Sequence, residues 1–429
     1  MPRPPWRSKA CRCRCSLTAK RVKSSHLYIL LNTCCLIVGE GTRLAIMLNA
    51  LHLQASPMVV GVLGSLFSVL PALTSVASGR WVDRTGAARP MLYSALIVAA
   101  GAAIAVAWRE LAALFLVSLL VGTFANVFFV TTLQVLARDP APGARVRNFS
   151  VLTTANSLGM FLSPLAVGAG IDRFGFATTF LVLALLGLAP ALYIGLGGLR
   201  GRTGAAGGRV AVSATEITAD AGRGPSAGAT ARRSTFELLR IPPLRWVYSI
   251  AFACSTSILL YLFLIPLYGV QRGLSATWIG ALMGSFSLSM AVVRLVAPLL
   301  ALLVPPWQLI LVALGASGLM LLALPFIVNV WILLPMGIVL GASLGLSSPI
   351  ILSLLSEGAP PDRIGEVLGL RMTMVNAILT GVPLVAGSLG VLIGIAPVFW
   401  VISTLLIGSC IVARRQWHAR RARPLWRAR

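Results

Sequence analysis

Twelve apolar runs, each close to the roughly 20 residues that one helix needs to cross a bilayer, occupy most of the chain between about residues 27 and 413. In hydrocarbon, backbone N–H and C=O groups must be bonded within the protein, so runs of this length fold as helices. They begin near residues 27, 58, 90, 111, 149 and 177 in the first half, and near 246, 277, 307, 331, 367 and 394 in the second. The expected fold class is all-α integral membrane, with twelve transmembrane helices in two pseudo-symmetric six-helix bundles. Composition agrees: of 429 residues, 57% are hydrophobic and only 11% charged, against about 25% charged in a soluble domain.

Lysine and arginine are sorted by loop. Thirty of the 36 fall in the two termini and in every second connector, whereas the alternate connectors hold only Arg109, Arg173 and Arg272. Basic loops are retained on the cytoplasmic side, so both termini and the long central connector are expected there, in a bacterial cytoplasmic (inner) membrane. The chain divides accordingly into an unstructured basic tail, 1–26; an N-terminal bundle, 27–199; a flexible cytoplasmic linker, 200–245; a C-terminal bundle, 246–413; and a second basic tail, 414–429. The linker is too polar to span a bilayer and too poor in large apolar residues to fold alone. Basic tails beside a membrane also attract anionic headgroups, which makes membrane lipids expected partners.

What is scarce narrows the chemistry. A net charge of +25 would suggest nucleic acid in a soluble protein, but topology accounts for it here and no nucleic-acid partner is expected. The only lysines are Lys9, Lys20 and Lys23, so no phosphate-binding G-x-x-x-x-G-K-[ST] loop exists beyond the tail and a single-chain ATP-driven pump is excluded. His26, His52 and His418 lie near span ends, which removes the usual metal ligands and general bases from the membrane interior. Cys11, Cys13 and Cys15 alternate with arginine and lack a fourth zinc ligand, while Cys34, Cys35, Cys254 and Cys410 sit in apolar runs as packing residues. The chain is read as not an enzyme, with no cofactor and no metal.

The two halves repeat. A constant offset of 219 places Ser56 on Ser275, Gly61 on Gly280, Ser68 on Ser287, Gly122 on Gly341, Pro142 on Pro361 and Pro164 on Pro383. One offset held over this distance implies a duplicated six-helix unit.

Between the second and third spans the chain reads Gly79-Arg80-Trp81-Val82-Asp83-Arg84-Thr85-Gly86-Ala87-Ala88-Arg89, a connector short enough to be a tight turn. Glycine at 79 and 86 permits close approach and positive φ. A carboxylate among arginines at helix ends can form charge-assisted bonds or engage a helix N-terminus. The spacing resembles the signature loop of the major facilitator superfamily, G-x-x-x-D-x-x-G-x-x-R, at every fixed position, and the likeness covers about residues 27–413. It implies a secondary transporter working by alternating access, with Gly79, Asp83, Arg84, Gly86 and Arg89 as a gating loop that latches the cytoplasmic side. The matching stretch of the second half, 298–308, has neither carboxylate nor arginine, so the implied latch is one-sided.

Span five carries Gly159-Met160-Phe161-Leu162-Ser163-Pro164, then Gly168, then Asp172-Arg173-Phe174-Gly175. It resembles the G-x-x-x-G-P-x-x-G-G element of the superfamily's drug/proton antiporters, with Ser163 in a glycine's place and the last glycines displaced. That likeness implies antiport, although kinking and close helix packing account for the same residues. Span four has no arginine where many proton-coupled drug exporters carry one.

Charge inside a span costs about 2.5–3.5 kcal/mol at the helix centre, so each instance marks a candidate site. Glu40 and Arg43 are three residues apart on span one, on nearly the same face. They are either a self-neutralising pair or a proton-binding carboxyl whose pKa Arg43 sets, with Arg43 also able to hold an anionic substrate. Arg294 and Arg371 lie toward the cytoplasmic ends of spans eight and eleven, as substrate-cavity cations or as snorkelling anchors paired with Glu366 or headgroups. Asn126 and Asn376 offer neutral hydrogen bonds to a solute or to neighbouring helices. The expected activity is proton-coupled movement of a small organic solute by a monomer, with drug or metabolite efflux slightly ahead of organic-anion uptake. A non-transporting membrane receptor or scaffold on the same fold is the competing class.

Overall fold

The computed structural model describes residues 7–108, 110–137, 144–198, 242–358 and 364–421, and within them the chain is helical without a strand. Helix α1 runs Arg7–His52. The segment expected to be an unstructured tail is therefore helical from Arg7 onward, which follows from the absence of Gly and Pro between residues 7 and 38. At 1.5 Å per residue α1 is about 69 Å long, and only its apolar portion, Ser25–His52, has the composition to cross a bilayer.

Next come α2 (Pro57–Thr85), α3 (Ala88–Ala107) and α4 (Leu111–Ala137). A helical stretch of 52 residues follows, Ala144–Gly195, too long for one crossing. Gly175, at φ 79° and ψ 174°, occupies a region that only glycine enters without strain, and it divides the stretch into α5 (144–174) and α6 (176–195). The second half holds α7 (Pro242–Gln271), α8 (Ala276–Leu303), α9 (Pro306–Ala323), a short 3-10 turn at Leu324–Phe326, α10 (Val330–Gly358), α11 (Ile364–Leu392) and α12 (Ile395–Arg421). Among the described residues eleven segments are long and apolar enough to span, and one of them, Arg147–Gly195, contains most of α5 and all of α6. Twelve crossings result.

Two expected boundaries shift. Residues 79–85 are the last turns of α2 rather than a loop, because nothing between the glycines breaks the helix; only Gly86 and Ala87 lie between α2 and α3. The central connector begins to be helical at Pro242; its residues 199–241 lie outside the described residues, as do Arg109, Arg363 and 422–429.

In the first bundle α1 packs on α5, α4 and α2, and α3 on α4 and on the 144–195 stretch; in the second, α10 packs on α7, α8 and α9, and α12 on α7 and α9. The bundles meet along α5 with α8, α2 with α11, and α1 with α7. The 219-residue offset reappears as geometry. Gly122 lies against the backbone of Phe67, and Gly341 against the backbone of Phe286, which are equivalent contacts. Without hydrocarbon to drive helices together, such small-residue approaches supply the packing that holds a membrane bundle.

Candidate functional site

A small cleft lies where the bundles face each other, lined by Glu40 and Arg43 of α1, Pro164 of α5, Leu262 of α7, and Met283 and Ser287 of α8. Arg43 Nη1 and Glu40 Oε2 are 4.0 Å apart, with the Arg43 side chain 19% and the Glu40 side chain 42% exposed. The two groups therefore attract by charge without a hydrogen bond. The pair opens onto the cleft instead of being sealed in the protein, so the carboxylate can be reached by solvent and solute.

One end of the cleft is closed by two matched seams. A Cβ on Gly61 of α2 would overlap the carbonyl oxygen of Pro383 on α11, and a Cβ on Gly280 of α8 would overlap that of Pro164 on α5. Gly387 meets Pro57, and Gly168 meets Ala276, in the same two-fold relation. Ser65 Oγ adds a hydrogen bond to Thr380 O at 2.8 Å across the α2–α11 seam. All of these positions lie in the half of the molecule nearer the α1–α2 turn.

Span five serves both neighbours. Gly159 lies against Leu36 of α1, and buried Ser163 donates to Ile37 O at 2.8 Å, which is why a hydroxyl is accommodated where the family element has glycine. Pro164 and Gly168 face α8. At the end of α5, Asp172 crosses to the other bundle: its Oδ1 accepts the Ala276 N–H at 3.0 Å and its Oδ2 the Thr277 N–H at 2.7 Å. These are the first two amides of α8, which lack partners within their own helix and carry its positive dipole end. Asp172 is a functional candidate that motif matching alone passes over. Its signal is the repeat of G-x-x-x-D-R-x-G at 168–175, after 79–86.

The gating loop of the family likeness sits at the opposite end of the first bundle. Gly79 approaches Gln134 of α4. Asp83, Arg84 and Arg89 are exposed, and Gly86 ends α2 at φ 76° with its N–H on Val82 O at 2.9 Å. Arg294 of α8 and Arg371 of α11 belong to the second bundle, and neither is among the residues that line the cleft. Asn126 is half-buried and Asn376 exposed; neither lines the cleft nor hydrogen-bonds a described residue. No group of three His, Cys, Asp or Glu that could hold a metal ion occurs among the described residues.

The Major Facilitator Superfamily profile matches residues 29–382. No curated protein matches the chain. Among solved structures, the nucleoside transporter NupG superposes at TM-score 0.68 with 14% identity, over 91% of this chain and 99% of that one. A bacterial homologue of the human lysosomal transporter Spinster, inward-facing and unoccupied, superposes at 0.67 with 12% identity, over 91% and 97% of the two chains. The human organic anion transporter MFSD10 superposes at 0.56 with 19% identity, over 90% and 98%. At these identities the likeness is one of fold; the profile match, covering eleven of the twelve helices in whole or part, carries the family. This integral membrane chain belongs to the Major Facilitator Superfamily of membrane transporters.

Proposed function

We propose that the protein moves a small organic solute across a bacterial cytoplasmic membrane by alternating access, coupled to protons, with efflux slightly favoured over uptake. The observation that carries this reading is the cleft itself: it lies between the bundles, holds a carboxyl and a guanidinium 4.0 Å apart, and has two seams of glycine and proline at one end. Rocking the bundles about the cleft opens those seams and closes the other end, where Asp83 and its arginines form the gate. Glu40 is the proton carrier, since it is the one carboxyl in the cleft lining. The termini and residues 199–241 face the cytoplasm, and the monomer is the working unit. The structural neighbours include transporters named for nucleosides and organic anions, which supports a polar organic cargo.

The test is a solute screen on the purified chain in vesicles with an imposed pH gradient. Glu40→Gln should leave downhill exchange largely intact and remove pH-driven accumulation. Accumulation by that variant at the wild-type pH dependence would sink the coupling role.

A further inference from the structure

Two arginines of the second bundle have no counter-charge among the described residues, and one of them is out of water. Arg371 of α11 is 9% exposed. Of the five N–H donors a guanidinium offers, one is used: Nη2 donates to Ser348 Oγ of α10 at 3.3 Å, while the buried Nε has no partner. A snorkelling arginine keeps its head in water or among headgroups. Arg371 does the reverse, seven residues and about 10 Å along α11 from Ile364. Tyr248 of α7 stands beside it, but its hydroxyl donates a hydrogen bond to Val367 O at 2.7 Å and supplies no charge.

Arg294 completes the arrangement from α8. Positions 283, 287, 291 and 294 follow one helix face, so Arg294 continues the line of Met283 and Ser287 that borders the cleft. Its Nη2 reaches only Met290 Sδ, at 3.0 Å, and a thioether is a weak acceptor. The side chain is exposed, and the positive charge of Arg371 reaches it. Neither arginine forms an ion pair with a described carboxylate. Two like charges, one of them nine-tenths buried with an unused donor, gain stability when an anion binds beside them.

We propose that Arg371, Arg294 and Ser348 form an oxyanion subsite between α8, α10 and α11 of the second bundle, which takes the carboxylate or phosphate-type group of a small organic solute. The subsite rests on the transport reading above and gives it a substrate class, the organic anions. Arg371 is the planar fork that can donate to two oxygens side by side. Arg294, exposed, meets the anion on entry. Two arginines without a carboxylate partner among the described residues on this part of the second bundle disfavour cationic drugs by charge alone.

The experiment is thermal unfolding of the full chain, purified in a neutral detergent, with benzoate, phenylphosphonate or neutral benzamide added at millimolar concentration. Both anions should raise the unfolding temperature in a saturable way and benzamide should not. Arg371→Gln should unfold at or above the wild-type temperature without ligand, because an uncompensated charge is gone, and should bind both anions at least tenfold more weakly. Arg294→Gln, on an exposed side chain, carries the same test should the first variant fail to fold, and Arg371→Lys should restore part of the binding. Stabilisation by benzamide equal to that by benzoate, anion binding unchanged in the variants, or no response to either anion would overturn the subsite. So would a response to phosphatidylglycerol micelles alone, which would assign the arginines to lipid. The transport reading fails separately: a wild-type protein that binds benzoate but exchanges no solute in vesicles keeps the subsite and loses transport. Exchange that persists in variants with wild-type anion binding keeps transport and removes the subsite.

Discussion

The turn after α2 and the turn after α5 are written in the same residues. Gly79-x-x-x-Asp83-Arg84-x-Gly86 and Gly168-x-x-x-Asp172-Arg173-x-Gly175 stand 89 positions apart. Both helices end on a glycine of nearly the same conformation, φ 76° and ψ 170° at Gly86, φ 79° and ψ 174° at Gly175. Because consecutive helices run in opposite directions, one turn lies at the end of the molecule that holds the termini and the other at the far end. This is what a three-helix unit repeated in inverted orientation produces. Their surroundings differ. Gly79 approaches Gln134 within its own bundle, whereas Gly168 abuts the backbone of Ala276 in the other. Asp172 consequently takes the first two amides of α8, while Asp83 is exposed at its helix end. A shared local code sets where the carboxylate stands; that Asp172 caps a helix of the other bundle depends on what that bundle presents.

The seam that brings Gly168 and Asp172 to α8 is the first thing to break. Gly280→Val and Gly61→Val each place a side chain on a proline carbonyl, and overpacking of this kind costs about 1–3 kcal/mol. Each should open the far end, suppress transport strongly, and raise alkylation of a Ser287→Cys probe by reagent added outside. A large effect at one glycine and none at the other would break the two-fold relation between the seams.

Asp83→Asn should remove most transport while the protein still reaches the membrane, because the amide keeps the size and loses the charge. Wild-type rates would demote the turn at 79–86 to a passive connection. The inverted counterpart of α8 is α11, so the helix start that Asp83 serves in the alternate state is expected near Ile364.

Asp172→Asn should act more mildly. A carboxylate at a helix N-terminus contributes about 0.3–1 kcal/mol when exposed, so loss of the charge should raise outside alkylation of the Ser287→Cys probe by up to about fivefold. Unchanged labelling in both Asp172→Asn and Asp172→Ala would reduce this cap to a surface contact.

A difference expected to be near zero compares the turns directly. An added Cβ meets nothing within 4 Å at either Gly86 or Gly175, so Gly86→Ala and Gly175→Ala should each lose only the backbone term, about 1–3 kcal/mol. Thermal unfolding should give similar losses. A clear inequality would show that the two turns are strained by different surroundings despite their matching angles.

The sequence by itself determined the helices, the duplication and the family. Span length, apolar run and loop charge are local quantities, and the bilayer leaves an apolar run of 20 residues almost no choice but helix. The 219-residue repeat and the G-x-x-x-D-x-x-G-x-x-R spacing were legible for the same reason, and so was the placing of Glu40 beside Arg43, three residues apart on one helix. Helix ends were less legible: Gly79 reads as the start of a loop, yet a single glycine does not stop a helix whose neighbours continue it, and α2 runs on to Thr85. Tertiary structure alone decided the partners. Asp172 and the amides it accepts are about 104 positions apart, and Ser348 and Arg371 belong to different helices; no local pattern encodes such a meeting. The sequence permitted Arg371 to be an anchor in headgroups, and only the packing of α7, α10 and α11 around it puts the guanidinium out of water. A side chain's solvation is a property of everything that surrounds it, and that is settled when the helices close on one another.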